Sequence, residues 1–385
     1  MTAARDGRTR RGAVVYNPTK LDVEELRREI DAAAEAAGWG ETLWFETSVE
    51  DTGAGPAREA VAQGADVVVA AGGDGTVRAV AEGLRDSGVP LALLPQGTGN
   101  LLARNLGLGV ADLATSAKTV FNGEDRAIDL GVISLERADG TVDEHVFLVL
   151  AGMGLDAKMI ASTDAKLKRR VGWLAYVDGG LRALTRIRPI KLRYSLDENP
   201  VRAVSAHSIM IGNCGQLPGG ILLIPDARLD DGVLDIVLLR PHGPLGWIQV
   251  WRKIGFENGV LRKSAAGRKI IDLVNDTRSV DYRTGMKVRA DSDEAEEVQL
   301  DGDEFGEAIG FTAVVDPGAL LVRVDPRAPT AEGTPALGEP TPEQEVERTE
   351  AEREDPDGTR AAKAKGRRAR RGRGKGASRT PLSGE

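Results

Sequence analysis

The stretch Val67-Val68-Val69-Ala70-Ala71-Gly72-Gly73-Asp74-Gly75-Thr76-Val77 sets the reading of the whole chain. Its first five residues are small and apolar and read as a short buried strand. Gly72, Gly73 and Gly75 then allow a sharp turn, because glycine takes positive φ without a steric cost. Thr76 is placed to cap a helix, and Val77, Val80, Ala81 and Leu84 recur at helical spacing after it. A strand, a glycine turn and a helix start present free backbone N–H groups at the positive end of a helix dipole. That is an anion site, and in an α/β domain the usual anion is a phosphate. Asp74 is the odd member, since a carboxylate repels a phosphate unless a cation or a sugar hydroxyl lies between them. The plainer alternative is a strand–helix turn with a solvated Asp.

Working outward, Gly12 to Tyr16 reads as a first strand, closed by Asn17-Pro18-Thr19-Lys20. A helix over 23–37, a strand over 42–46 and a helix over 56–63 lead to the organising strand. Beyond the helix from Thr76 come a strand over 90–95, the polar turn Gln96-Gly97-Thr98-Gly99-Asn100 and a helix over 101–106. This alternation predicts a doubly wound, mostly parallel α/β domain over 12–127, with helices on both faces of the sheet. Ligands of such a sheet bind beyond the carboxyl ends of the strands. The turns at 17–20, 72–76 and 96–100 all fall at that edge, and their convergence says more than any one of them.

From residue 128 the pattern changes to short strands at 127–133, 145–150, 190–196, 207–212 and 233–239, separated by turn signals such as Ala138-Asp139-Gly140. That spacing predicts an antiparallel β-sandwich over 128–310. A helical interruption is expected over 155–187 and a second helix over 245–256, with further strands at 272–274, 287–290 and 297–300. Strands at 311–315 and 319–324 close the folded part, and 311–325 could return to the first domain.

A chain of 385 residues is long enough for about two cores. Aromatics are only 4%, so those cores must be built mostly from Val, Leu, Ile and Ala. Cys214 is the sole cysteine, which excludes internal disulfides and a cysteine zinc site, and it reads as a packing residue. His145, His207 and His242 have no metal-ligand spacing and read as structural. No run of 18 apolar residues exists to span a bilayer, and the basic N-terminus lacks an apolar signal core, so a cytoplasmic protein is expected. Residues 332–357 are acidic and 360–379 basic, neither with enough apolar surface to fold, so 326–385 is expected to be a disordered acidic-then-basic tail. Without aromatics to stack on bases, the basic block implies no specific nucleic-acid partner.

Several motifs occur in order: Tyr16-Asn17-Pro18, Gly72-Gly73-Asp74-Gly75-Thr76, and Leu94-Pro95-Gln96-Gly97-Thr98-Gly99-Asn100 with Ala103-Arg104. Ile128-Asp129-Leu130-Gly131, Ala151-Gly152-Met153-Gly154-Leu155-Asp156-Ala157, Asp231-Gly232 and Leu300-Asp301-Gly302-Asp303 follow. Together they resemble the diacylglycerol kinase catalytic family in its bacterial lipid-kinase branch, over nearly all of the folded chain.

The resemblance implies a two-domain, Mg²⁺-dependent kinase that moves the γ-phosphoryl group of ATP to a lipid hydroxyl such as that of diacylglycerol. It implies nucleotide contacts from Asn17, Pro18, Gly72, Gly73, Asp74, Gly75, Thr76, Gly97, Thr98 and Asn100, with Lys20 a further candidate. Asp74 would act through Mg²⁺, directly or through water. Asp301 matches the family's general base, with Asp303 and Asp129 as rivals. Here Gly302-Asp303 stands where the family usually has Gly-Glu. Asp231, with the main-chain carbonyls of Arg228 and Val233, matches a second Mg²⁺ site.

A lipid kinase works at a membrane surface. The cluster Lys166-Leu167-Lys168-Arg169-Arg170, with Trp173 and Tyr176, suits peripheral contact with an anionic inner face, although a solvated helix face explains it equally well. An exposed sheet edge in the second domain could pair two copies as a homodimer. A kinase of a soluble substrate such as NAD, and a non-catalytic membrane-associated nucleotide-binding protein, are the alternatives.

Overall fold

The structure is a computed structural model that describes residues 8–19, 21–95, 100–108, 112–154, 188–217, 221–224, 227–241, 243, 246, 250 and 279–326. The helices expected over 155–187 and most of 245–256, the strand at 272–274 and residues 327–385 of the charged tail lie outside the described residues. The N-terminal elements are β1 (Gly12–Tyr16), α1 (Val23–Ala36), β2 (Leu43–Glu46), α2 (Ala54–Ala62), β3 (Val67–Gly72), α3 (Asp74–Leu84), β4 (Leu91–Pro95), α4 (Leu101–Asn105) and α5 (Leu113–Asn122). The four strands pair in parallel in the order β4-β3-β1-β2.

Strand side chains alternate faces, and here both faces are covered. Ala13, Val15, Val68 and Ala70 pack with Ala57 and Ala60 of α2 and with Val77, Val80 and Leu84 of α3. Val14, Tyr16, Val67, Val69 and Ala71 pack with Leu26 and Ile30 of α1 and with Val120 and Phe121 of α5. This is the doubly wound arrangement expected from the sequence. Each fully buried Val or Leu contributes about 1.5–3 kcal/mol.

Three details differ from the sequence expectation. α3 starts at Asp74 with Gly73 at its cap and no side-chain capping bond, so Thr76 lies inside the first turn. There it packs on Gly72, where an added Cβ would come within 2.6 Å of the Thr76 hydroxyl. α2 begins at Ala54, which puts Pro56 within the first turn, where its missing N–H costs nothing. α5 was not expected. Asp112 caps it by accepting from the Thr115 N–H at 2.8 Å.

The remaining strands are β5 (Glu124–Glu136), β6 (Val142–Phe147), β7 (Leu150–Met153), β8 (Ile190–Leu196), β9 (Arg202–Ala206), β10 (Ser208–Gly212), β11 (Gln216–Leu217), β12 (Ile221–Leu222), β13 (Leu234–Leu239), β14 (Val280–Gly285), β15 (Lys287–Leu300) and β16 (Asp303–Val324). They pair antiparallel around a core that includes Ile133, Leu135, Phe147, Ile209, Ile236, Val288, Leu300 and Phe311. β15 changes neighbour along its length: residues 288–292 pair with β8 and 298–300 with β7. The separate strands expected at 287–290 and 297–300 are thus one, as are those at 311–315 and 319–324, with register shifts in each. The expected strand at 145–150 is broken at Leu148 and Val149.

At its far end β16 pairs in parallel with β4 through Val322↔Leu91 and Arg323↔Ala92. The parallel and antiparallel regions therefore share one hydrogen-bonded sheet, and every described residue belongs to one compact unit.

Candidate active site

The carboxyl ends of β1 and β3 are tied together, because the Asn17 N–H donates to the Ala71 carbonyl at 3.1 Å. The Asn17 side-chain oxygen accepts from the Thr19 N–H at 3.0 Å and hydroxyl at 2.7 Å, which holds the Asn17–Thr19 turn closed beside Pro18. From the end of β3 the chain passes through Gly73 directly into α3. Asp74, the first residue of α3, accepts from the Leu101 N–H at 2.6 Å and so also anchors the start of α4. Asn100, at the cap of α4, has φ 47°. Burial pushes the Asp74 carboxyl up from its ordinary value, and the facing charge of Asp303 pushes it the same way. Lys20, Gly97 and Thr98 lie outside the described residues.

The second set of candidates arrives from the opposite end of the chain. Asp301 and Gly302 form the two-residue turn between β15 and β16, with φ of 52° and 93°. Positive φ at both turn positions is the tight hairpin geometry that favours Asp-Gly. The turn does more than reverse the chain. The Asp301 side chain is only 5% exposed. Its Oδ2 accepts from the Leu148 N–H at 2.8 Å, and its Oδ1 accepts from the N–H groups of Val149 at 2.8 Å and Leu150 at 3.0 Å. The Asp301 N–H donates back to the Leu150 carbonyl at 2.8 Å.

The break between β6 and β7 is what frees these three amides to converge on one carboxylate. Desolvation raises the Asp301 carboxyl to about 6 against the lowering effect of the three amides and of the Arg78 charge. A carboxyl titrating close to neutrality in such a place is suited to proton transfer. Asp303, two residues on, lies over the first turn of α3, where a Cβ added to Gly75 would overlap its carboxylate.

Asp129, a rival base in the sequence reading, is held by a different set of groups. It is buried, and its two oxygens accept from the Gly232 N–H at 2.7 Å and the Gly318 N–H at 2.8 Å. Its own N–H donates to Leu229, and its carbonyl accepts from Asn213 Nδ2 at 2.8 Å. It therefore clamps β5 to the loop before β13 and to the irregularity in β16. Asp129→Ala is expected to lower stability by about 2–4 kcal/mol, because two amides lose their acceptor. Chemical denaturation checks this, and a loss below about 0.5 kcal/mol would contradict the clamp.

Asp231, in the same loop, accepts from the Val233 N–H at 3.3 Å. Burial and the nearby Asp129 raise its carboxyl, while Arg228 lowers it. Cys214 is buried, and its thiol donates to the Leu148 carbonyl at 3.4 Å, as befits a packing residue.

The sequence reading did not single out the amides of residues 148–150, Arg78 or Asn213. Asn213 Nδ2 bonds the carbonyls of both Asp129 and Leu148 at 2.8 and 3.2 Å and so braces the break that holds Asp301. The basic cluster Lys166–Arg170 with Trp173 and Tyr176 lies outside the described residues.

Residues 11–133 match the diacylglycerol kinase catalytic domain, and residues 149–324 match the YegS C-terminal NAD kinase beta sandwich-like domain. The protein named "Probable lipid kinase YegS-like" of Pseudomonas aeruginosa (strain UCBPP-PA14) is 33% identical over 326 residues, covering 82% of this chain and 93% of the relative. The diacylglycerol kinase of Bacillus subtilis (strain 168) is 28% identical over 301 residues, covering 77% and 90%. A crystal structure of a diacylglycerol kinase from Bacillus anthracis str. Sterne superposes with a TM-score of 0.54 at 19% identity, covering 83% of this chain and 99% of that one, which shows the shared fold. From its glycine turn to the strand that returns to the first sheet, this chain belongs to the diacylglycerol kinase family of YegS-like lipid kinases.

Proposed function

We propose that this protein transfers the γ-phosphoryl group of ATP to a primary hydroxyl of a lipid at a membrane surface, with diacylglycerol the reference substrate. The single observation that carries the reading is the docking of the Asp301–Asp303 turn on the first turn of α3. The Asp303 carboxylate lies over the helix start, which favours phosphate, and Asp301, two residues before it, is a buried carboxyl poised near neutrality, which supports a base acting beside that site. The first turn of α3, with the backbone of Gly72, Gly73 and Gly75, holds the phosphates, and Thr76 and Asn100 line the same edge. Asp301 takes the proton of the attacking lipid hydroxyl as the new oxygen–phosphorus bond forms and the bond to the β-phosphate oxygen breaks.

The side chains present fit Mg²⁺. Among the described residues no group of three or more His, Cys, Asp or Glu could hold a metal ion. Mg²⁺ does not require one, since it keeps several waters and takes one or two carboxylates together with phosphate oxygens. Asp74 offers such a carboxylate at the helix start, and Asp231 with the carbonyls of Arg228 and Val233 offers hard oxygen donors away from it. Both carboxyls are raised by burial with a like charge nearby, which a cation would relieve. When bound, Mg²⁺ neutralises charge on the transferred phosphoryl group.

No helix among the described residues is long and apolar enough to cross a membrane. The test is incubation with γ-labelled ATP, Mg²⁺ and a total lipid extract, with identification of the labelled product by mass spectrometry. Label in a phosphorylated lipid is the expected result. Label transferred to NAD in a parallel reaction, with none in the lipid phase, would overturn the reading.

A further inference from the structure

Arg78 is buried, 8% exposed, on α3 one turn beyond Gly75. A buried guanidinium carries a large desolvation cost and is normally surrounded by acceptors. This one is not. Its Nη1 lies 3.6 Å from Glu82, and its Nε is buried with no hydrogen-bond partner among the described residues. Such pairing is too thin to explain the residue as a stabiliser of the fold.

What surrounds Arg78 is the candidate catalytic turn. Its guanidinium stacks on the Phe305 ring at 4.5 Å from the centroid, and its charge acts on Asp301. Phe305 is itself held. It packs on the antiparallel core and meets His145 edge-on at 4.7 Å, and His145 Nε2 bonds the Asp143 carboxylate at 2.7 Å. Arg137 completes the ring of contacts, bonding Asp143 at 2.6 and 2.7 Å and donating to the carbonyls of Phe305 at 2.8 Å and Glu307 at 2.9 Å. Phe305 is thus a fixed anvil for the guanidinium.

We propose that Arg78 is a positioning residue: by stacking on Phe305 it seats the 301–305 turn on α3 and so sets where the Asp301 carboxylate stands. The proposal rests on the reading of Asp301 as the base, but part of its test does not. A planar, weakly hydrated cation suits the task, because it can stack on a ring with one face and attract a carboxylate with its edge.

The experiment uses the full chain with Arg78→Met, Arg78→Lys and, in case the first does not fold, Phe305→Leu. Hydrogen exchange is read at the amides of residues 148–150, which are bonded to Asp301, and at 67–71 in β3. Arg78→Met and Phe305→Leu are expected to accelerate exchange at 148–150 by about tenfold with 67–71 unchanged, and Arg78→Lys to restore at least half of the protection. Unchanged exchange at 148–150, or equal acceleration at 67–71, would overturn the proposal. With ATP, Mg²⁺ and diacylglycerol in mixed micelles, Arg78→Met is expected to lower kcat by about 30-fold with the KM for ATP within twofold, and Arg78→Lys to recover most of the loss. A wild-type chain that leaves diacylglycerol unphosphorylated would count against the lipid-kinase reading, while the exchange data would still decide the role of Arg78.

Discussion

Asp301→Ala is expected to cut lipid phosphorylation by about 10³-fold, within the range general-base catalysis supplies, while the affinity for ATP stays within about threefold. The selectivity follows from placement. Asp301 lies in the β15–β16 turn and is held by the amides of residues 148–150, none of which belongs to the glycine turn. Isothermal titration with ATP and a labelled-phosphate assay on the same preparation separate the two effects. Retained turnover in the variant would remove Asp301 from the mechanism and leave Asp303 as the carboxylate to test next.

The same residue predicts two pH effects of opposite sign. A general base must be ionised, so kcat/KM should fall as pH drops through about 6, the value to which burial raises this carboxyl in the free protein. Stability runs the other way. The folded value is above the ordinary 3.8, so the fold favours the neutral form; that contribution is complete below 3.8 and is lost as pH rises through about 6. Relative to Asp301→Asn, which does not titrate, the wild type should lose about 2 kcal/mol between pH 4.5 and 7.5. An acid limb that persists unchanged in Asp301→Asn would assign it to another group.

What could be read from the sequence divides along a physical line. The parallel half was legible because strand and helix periods are local: Val67 to Ala71 alternate between two helical layers, and the glycines that end the strand mark the turn wherever the chain goes next. α5 is hard to see in the sequence because its buried face is short, Ala117, Val120 and Phe121 with half-buried Leu113, behind a single Asp cap. In the antiparallel half the strands were found but their continuity was not, since bulges at Asp291 and Asp316 interrupt the alternation inside single long strands.

The candidate site shows the same limit. Side-chain motifs named Asp301, Asp303 and Asp74, yet the groups that hold Asp301 are main-chain amides at a strand break, and an amide leaves no mark in a sequence. Arg78 is, in the sequence, one polar residue on a helix. Its surroundings are assembled only when residues 301–305 fold back onto α3. Asp129 has a motif as good as that of Asp301, but its partners, Gly232 and Gly318, make it a clamp. Motif order identified the family, and non-local hydrogen bonds separated the catalytic candidate from the structural one.

Gly75→Val should weaken ATP binding by about 100-fold, equivalent to about 2.7 kcal/mol, and abolish measurable phosphorylation. Two losses combine. A branched side chain on the first turn of α3 blocks the close approach of phosphate to backbone. Its Cβ also occupies the space of the Asp303 carboxylate, which must swing away from the helix start. Gly75→Ala separates these losses, because a single methyl still overlaps Asp303 but obstructs the phosphate less. Its kcat should fall by about tenfold or more at nearly normal ATP affinity. If the overlap is the cause, removing the carboxylate should relieve it. The double variant Gly75→Ala/Asp303→Ala should then show a smaller further loss than the sum of the single effects, with a coupling of about 1 kcal/mol or more in the stability of the fold. Strict additivity would mean that the two residues do not meet, and the docking of the β15–β16 turn on the glycine-lined helix start would have to be abandoned.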